Sequence, residues 1–377
     1  MPYEVYNKNF ITPEKYSDLV KKSELNGPNG WLLFVSCNSG IDFAHAVKDE
    51  YEKMLKESGS KLASIPMIGS KEDPITRVFS DSETCPRLPR HVAGSNVYVF
   101  QSAQENISGN SVNENIQQLL QVVRTLRSHR AQHITVVTPY CPYSRQDKPT
   151  YMKRESALSS LIADQLRIAG ADIHLTYHPH TLSLYGFYEP DIQFVALSGL
   201  DLFVEIFKDK RDKDNVVAVS TDAGGAKFII HYAEAMGVAY AIANKYRRGK
   251  DESSLLGVIG DLENKKVAII ADDETVTGSS IINTAETLHK KYKIDEIYVA
   301  VSHLKIKKEF IPKFIKAHKE YGLKELHFTN TIPQIPEVFE LDFAKQHSLA
   351  EMFAATINRL HYNQSVSSIF SNFKKSK

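Results

Sequence analysis

Val267-Ala-Ile-Ile-Ala-Asp-Asp-Glu-Thr-Val-Thr-Gly-Ser-Ser280 starts as a strand and ends by opening a helix. Val267 to Ile270 is a short apolar run, Asp272 to Ser280 reads as a turn, and Ile281, Ala285, Leu288 and Tyr292 then recur at helical spacing. Adjacent carboxylates at a strand end suit the vicinal hydroxyls of a sugar. Backbone N–H groups of Thr277, Gly278, Ser279 and Ser280, with the helix dipole behind them, suit a phosphate. An isolated D-D-x-x-x-T-G is equally compatible with Asp272 and Asp273 solvating a turn and Ser279 or Ser280 capping a helix. The apolar strand before it and the periodic helix after it supply the context that the ligand reading needs.

The same unit recurs in both directions from this stretch. Upstream, Trp31 to Val35 reads as a strand and Cys37 to Gly40 as its turn, followed by a helix with Ala44, Val47, Tyr51 and Leu55 on one face. Ser111 and Glu114 form an S-x-x-E capping box ahead of Ile116, Leu119, Leu120 and Val123. Ile134 to Thr138 is a buried-strand run, and Leu158, Leu161, Ile162 and Leu166 mark the next helix. Val216 to Val219, the turn Asp222 to Gly225 and a helix through Met236 complete the pattern. Strands alternating with helices predict an α/β protein with mostly parallel sheets and ligands at the carboxyl ends of strands. At 377 residues the chain fits two such halves. Residues 1–30 read as an extension and Ser365 to Lys377 as a polar, basic end.

Composition removes several classes of function. Lys plus Arg count 46 against 45 Asp plus Glu, so no net field is available to hold a nucleic acid or an anionic membrane. Cys37, Cys85 and Cys141 lie far apart without a C-x-x-C pair, which fits neither a disulfide framework nor a zinc site. No apolar run approaches the ~20 residues of a membrane span. A cytoplasmic location is expected.

Other turns carry polar chemistry too. Thr138-Pro-Tyr-Cys-Pro-Tyr-Ser-Arg-Gln-Asp-Lys148 follows a buried strand and offers the Arg145 fork beside Gln146 and Asp147, suited to phosphate and base recognition, although a solvated loop is the simpler reading. In Val219-Ser-Thr-Asp-Ala-Gly-Gly225, Asp222 suits either Mg²⁺ or a helix cap. Tyr177-His-Pro-His180 places two imidazoles on one side of an extended chain. Asn244-Lys-Tyr-Arg-Arg-Gly-Lys250 concentrates four cations, as a solvated loop or as a neutraliser of polyphosphate.

Taken in order, these segments resemble the ribose-phosphate pyrophosphokinase family, also called phosphoribosyl pyrophosphate synthetases, from about residue 31 to 370. Phe79-Ser-Asp-Ser-Glu83 resembles the family's F-S-D-G-E, and Pro139 to Asp147 its P-Y-F-x-Y-A-R-Q-D. Val219 to Gly225 is similar to V-S-P-D-x-G-G, Lys245-Tyr-Arg247 to the K-x-R of the catalytic loop, and Asp272 to Gly278 to D-D-x-x-D-T-G. Thr331-Ile-Pro333 and Leu349-Ala-Glu-Met352 resemble the closing T-I-P and L-A-E-A-I segments.

The resemblance implies two phosphoribosyltransferase-like domains, residues 31–194 and 195–344, with a helix near 345–370 returning to the first. It implies transfer of pyrophosphate from ATP to the C1 hydroxyl of ribose 5-phosphate with release of AMP. Phe79, Asp81, Glu83, Arg145, Gln146 and Asp147 would then hold ATP, and His180 and Asp222 would bind Mg²⁺. Asp272 and Asp273 would take the ribose hydroxyls, and Thr277, Gly278, Ser279 and Ser280 its 5-phosphate. Lys245 and Arg247 would act on the transferring group. A homo-oligomer built from dimers, up to a hexamer, is implied as well.

Several positions depart from the pattern. His178 replaces an Asp, Val276 stands where the family has its second acidic residue, Ser279-Ser280 replace Gly-Thr, and Lys148 replaces an Arg. Such changes fit a divergent enzyme, one with a shifted acceptor, or a non-catalytic homologue assembling with active subunits. A phosphoribosyltransferase that consumes the activated sugar is the other alternative, against which the Phe79–Glu83 and Arg145–Asp147 segments stand.

Overall fold

A computed structural model describes residues 26–60, 64–104, 109–247 and 253–367, with a few isolated positions between 12 and 17. The first sheet has seven strands. Its main strands are β1 (Gly30–Ser36), β2 (Ser95–Phe100), β3 (His133–Val137), β4 (Ile173–Tyr177) and β5 (Gln193–Leu197), parallel neighbours in chain order. Two short strands, Asn26–Gly27 and Met67–Ile68, pair with β1, and Thr76–Val78 with Thr84–Pro86 forms a separate hairpin.

Residues alternate across this sheet, as the period of two requires. Leu33, Val35, Val97 and Val99 face α2 (Val112–Ser128) and α3 (Leu158–Ala169). Leu32, Phe34, Tyr98 and Phe100 face the other way, toward α1 (Ile41–Glu57). The predicted capping box is present: Glu114 N–H donates to Ser111 Oγ, and Ser111 N–H donates to the Glu114 carboxylate. Leu161, expected on the apolar face of α3, is instead exposed, because Ser159, Ile162, Ala163 and Leu166 already fill the contact with the sheet.

The second sheet runs in the order β8-β7-β6-β9-β10-β11-β12. Here β6 is Val216–Ser220, β7 Ala239–Arg247, β8 Ser253–Gly260, β9 Val267–Thr275, β10 Glu296–Leu304, β11 Leu323–Thr329 and β12 Ala344–His347. All neighbours are parallel except β7 with β8. Helix α4 (Ala226–Met236) covers one face; α5 (Ser279–Tyr292) and α6 (Ile311–Glu320) cover the other. From β6 the chain moves first to β7 on one side and then to β9 on the other, so the order reverses between β6 and β9. Such a reversal opens a crevice at the strand ends.

Three boundaries differ from the sequence reading. Of residues 1–30, read as an extension, Asn26–Gly27 pairs with β1 and Gly30 begins it, so this end belongs to the first sheet, while most of residues 1–25 lie outside the described residues. β9 continues through Thr275, with Glu274 opposite His303 and Thr275 opposite Leu304, so only residues 276–278 turn. Polar side chains suggested a turn, but Glu274 is buried against Lys305 and the ladder continues past it. The basic segment 244–247, read as a loop, is the end of strand β7, paired with β8 from Lys245↔Leu255 to Arg247↔Ser253.

The last helix, α7 (Ala350–His361), lies on the first sheet, not the second. Phe353, Ala354, Ile357 and Leu360 join the cluster of Leu32, Phe34, Tyr51 and Tyr98. Asn358 Nδ2 donates to Tyr51 Oη at 2.8 Å, which fixes the register of α7 on α1. Among the described residues no helix is long and apolar enough to cross a membrane, and the three cysteines are free.

Candidate active site

Acidic residues mark both strands beside the switch point: Asp222 lies two residues past β6, and Asp272 and Asp273 lie near the carboxyl end of β9. The Thr221 hydroxyl, just after β6, donates to Asp272 Oδ2 at 2.7 Å, tying the two strand ends across the crevice. The Asp222 carboxylate turns back to accept from Gly224 N–H at 2.9 Å. In the next layer of contacts His180 Nδ1 meets Asp273 Oδ2 at 2.7 Å, so the segment after β4 of the first sheet reaches the second.

These groups border one cavity of about 440 Å³. Of the residues singled out from sequence, Arg145, Asp147, His180, Asp222, Asp272, Asp273, Thr277 and Ser280 line it. Gln146, Gly278 and Ser279 adjoin lining residues without lining it themselves. Phe79, Asp81 and Glu83 sit on the exposed hairpin tip, where Phe79 N–H donates to Glu83 O at 2.8 Å; none of them borders the cavity. For Lys245 and Arg247 the backbone lies at the end of β7, and their side chains fall outside the described residues.

Electrostatics divide the two aspartates. Burial, and then the charge of Asp273, push the Asp272 carboxyl well above its ordinary range. Burial works the same way on Asp273, but the hydrogen bond and charge of His180 outweigh it and hold that carboxyl low. In return, the bond to Asp273 raises the His180 imidazole against the effect of burial. The result is one carboxylate that stays charged beside one that resists charging, a pair able both to accept from and to donate to sugar hydroxyls.

The turn after β9 leads directly into α5. Gly278 has φ 69°, and a Cβ there would run into the Phe314 ring. Two of its N–H groups are occupied from within: Gly278 donates to Thr275 Oγ1 at 3.1 Å and Ser279 to Thr277 Oγ1 at 3.3 Å. Lys313 adds a cation, its Nζ 3.3 Å from Ser279 Oγ.

Other contacts join the halves through residues whose joining role sequence reasoning missed. His178 is half-buried at the cavity wall with φ 38°, its Nδ1 2.5 Å from Ser302 Oγ, and its carbonyl accepts from His303 Nε2 at 3.1 Å. Burial lowers the His178 pKa to about 4. The contacts with Ser302 and His303 tie the segment after β4 to β10. Glu274 and Lys305 form a buried ion pair under Arg145. Their contacts span 31 and 129 residues, beyond the reach of local pattern.

Comparison with known proteins agrees with this geometry. The family model for the N-terminal domain of ribose phosphate pyrophosphokinase matches residues 34–170, and that for the phosphoribosyl synthetase-associated domain matches residues 243–371. A ribose-phosphate pyrophosphokinase of Caldanaerobacter subterraneus subsp. tengcongensis is 32% identical over 292 residues, covering 78% of this chain and 88% of that protein. One from Fusobacterium nucleatum subsp. nucleatum is 34% identical over 293 residues, with the same coverage of 78% and 88%. Ribose-phosphate pyrophosphokinase 1 of Listeria monocytogenes is 30% identical over 339 residues, 90% of this chain and 97% of that one. Among solved structures, phosphoribosylpyrophosphate synthetase from Mycobacterium smegmatis shares the fold with a TM-score of 0.71 at 23% identity, over 88% of this chain and 99% of the other. With a cavity assembled from both halves at the switch point, and relatives that align over most of its length, the chain belongs to the ribose-phosphate pyrophosphokinase family.

Proposed function

We propose that the protein transfers the β,γ-diphosphate of ATP to the C1 hydroxyl of ribose 5-phosphate, giving phosphoribosyl pyrophosphate and AMP. The observation that carries this is the shared cavity, where Arg145 and Asp147 of the first half face the Asp272–Asp273 pair and the 276–280 turn of the second. The C1 oxygen bonds to the β-phosphorus as the bridge to the α-phosphate breaks, so the protein's task is positioning and neutralisation of charge.

In this reading Asp272 and Asp273 orient the ribose hydroxyls. The hydroxyls of Thr277, Ser279 and Ser280 and those N–H groups of the turn not already used within it, with Gly278 giving the turn its shape and Lys313 adding a cation, receive the 5-phosphate. Arg145, Gln146 and Asp147 hold the nucleotide, and the β7–β8 hairpin brings Lys245 and Arg247 to the transferring group. Phe79, Asp81 and Glu83, exposed on their hairpin, would complete the adenine site of a neighbouring subunit in a homo-oligomer built from dimers.

Asp222 supplies the kind of oxygen donor that Mg²⁺ favours, with the remaining positions left to water and phosphate oxygens. Asp222 offers a carboxylate at the cavity wall, and His180 uses Nδ1 on Asp273, which leaves Nε2 for a ligand in the carboxylate–histidine arrangement common at metal sites. Bound there, the ion would neutralise phosphate oxygens. The division into domains 31–194 and 195–344, with α7 returned to the first, and a cytoplasmic location belong to the same proposal.

Purified protein given ATP, Mg²⁺ and ribose 5-phosphate should form AMP only when all three are present. ADP as the sole nucleotide product, or no turnover with any pentose phosphate, would refute it.

A further inference from the structure

The loop that carries Arg145 touches the second sheet twice. Lys305, immediately after β10, sets Nζ 3.6 Å from the centre of the Tyr140 ring. Glu274, one residue past the Asp pair in β9, lies 2.9 Å through Oε1 from Arg145 Nε, a charge contact that falls short of an aligned hydrogen bond. Glu274 and Lys305 also pair with each other, and both side chains are buried. The register brings them together: Lys305 N–H donates to the Thr275 carbonyl at 2.9 Å, setting the two strand ends side by side.

The charges are unequal. One carboxylate serves two cations, of which Lys305 is buried and Arg145 lines the cavity with its side chain 59% exposed. A buried Lys305 without Glu274 would be an uncompensated charge. A guanidinium held at Nε presents its two terminal amino groups as a planar fork, the geometry that matches a phosphate. An arginine free to swing in solvent would have to be ordered at each binding event, at a cost in affinity.

We propose that Glu274 is a positioning residue that holds the Arg145 fork toward the polyphosphate in the cavity, with Lys305 fixing the carboxylate in turn. The proposal rests on the reading of Arg145 as an ATP-binding residue. The strand end that carries the sugar carboxylates thereby also aims the nucleotide's arginine, so one element sets both substrates in register.

A purely structural role would make the same three residues a clamp on the Tyr140 loop. Two variants separate these: Glu274→Gln, which keeps shape and removes charge, and Glu274→Met combined with Lys305→Met, which replaces the buried pair by apolar side chains and typically preserves stability. In both, KM for ATP and the Kd of a non-hydrolysable ATP analogue should rise about tenfold, as expected for a lost contact to a charged group. KM for ribose 5-phosphate should stay within about twofold. Arg145→Ala, which weakens analogue binding in the parent, should add little in the Glu274→Gln background.

An unchanged ATP KM in the double variant at an unchanged thermal midpoint overturns the proposal, as do equal losses on Arg145→Ala in both backgrounds. If Glu274→Gln does not fold, the double variant decides alone. Analogue binding unaffected by Arg145→Ala in the parent removes the ATP role of Arg145 and this proposal with it. Weakening by Arg145→Ala but not by either Glu274 variant removes only the role of Glu274.

Discussion

The Nδ1 atom of His180 lies 2.7 Å from Oδ2 of Asp273, although 93 residues separate them in the chain. The contact couples the segment after β4 of the first sheet to β9 of the second, and it keeps Asp273 charged where burial alone would protonate it. Asp273→Asn retains an acceptor for the imidazole but loses the charge. Ribose 5-phosphate binding should weaken by about 10- to 100-fold, and the Mg²⁺ concentration for half-maximal turnover should rise. Calorimetric titration with the sugar phosphate and a Mg²⁺ titration of AMP release measure the two effects, and parent-like values in both would break the link.

Val276 lines the cavity between Thr275 and Thr277 and can pack against a ligand but not bond to it. Val276→Asp should tighten ribose 5-phosphate or raise turnover, since one hydrogen bond to a charged group is worth roughly 1.5–3 kcal/mol. Titration of both proteins with the sugar phosphate, in the presence of an ATP analogue, checks it. Tighter binding by the parent would count against this reading.

Lys245 sits on the β7–β8 hairpin, three residues past the last pairing of β7 with β6 at Ile242. Lys245→Ala should lower kcat on the order of 10²-fold while ATP binding changes far less, because the cation acts on the charge of the transferring group. Steady-state kinetics beside analogue binding separate the two. Equal turnover by mutant and parent would take Lys245 out of the reaction.

Buried neutral histidines set the response to acid. Burial lowers His174 and His303 to about 3 and His178 and His327 to about 4, all below the ordinary 6.5. Between pH 6.5 and about 4 the unfolded chain binds protons that the folded chain refuses, so stability falls as pH falls through that window. Each such histidine contributes about 1 kcal/mol per pH unit to the loss. Urea midpoints at pH 7, 6 and 5 should decline steadily; a flat series would mean that these side chains are already accessible to protons in the fold.

Local pattern made much of this legible. Apolar runs followed by small or acidic turns placed the strands, and Asp222, Asp272 and Asp273 stand out in sequence because they follow such runs, at whose carboxyl ends ligands bind. Pattern failed where burial came from distant partners. Glu274 looked like turn polarity because Lys305 is 31 residues away. Segment 244–247 looked like a loop because its pairing with β8 satisfies a backbone that its cations seemed to leave to solvent. Leu161 looked like core because periodicity cannot tell which of two adjacent leucines and isoleucines the sheet has room for.

Helix α7 has a consequence for the order in which the molecule is made. The side chains that complete one face of the first sheet, Phe353, Ile357 and Leu360, leave the ribosome after both sheets have been synthesised. Until then the face of Leu32, Phe34 and Tyr98 lacks this helix and is covered chiefly by α1, so the first sheet waits for α7. The expected order of maturation therefore runs from the second half backward, against the usual progression of domains from the N-terminus. Ribosome-stalled chains ending before residue 349 should stay protease-sensitive in the first sheet while the second is already resistant, and early protection of both would contradict it.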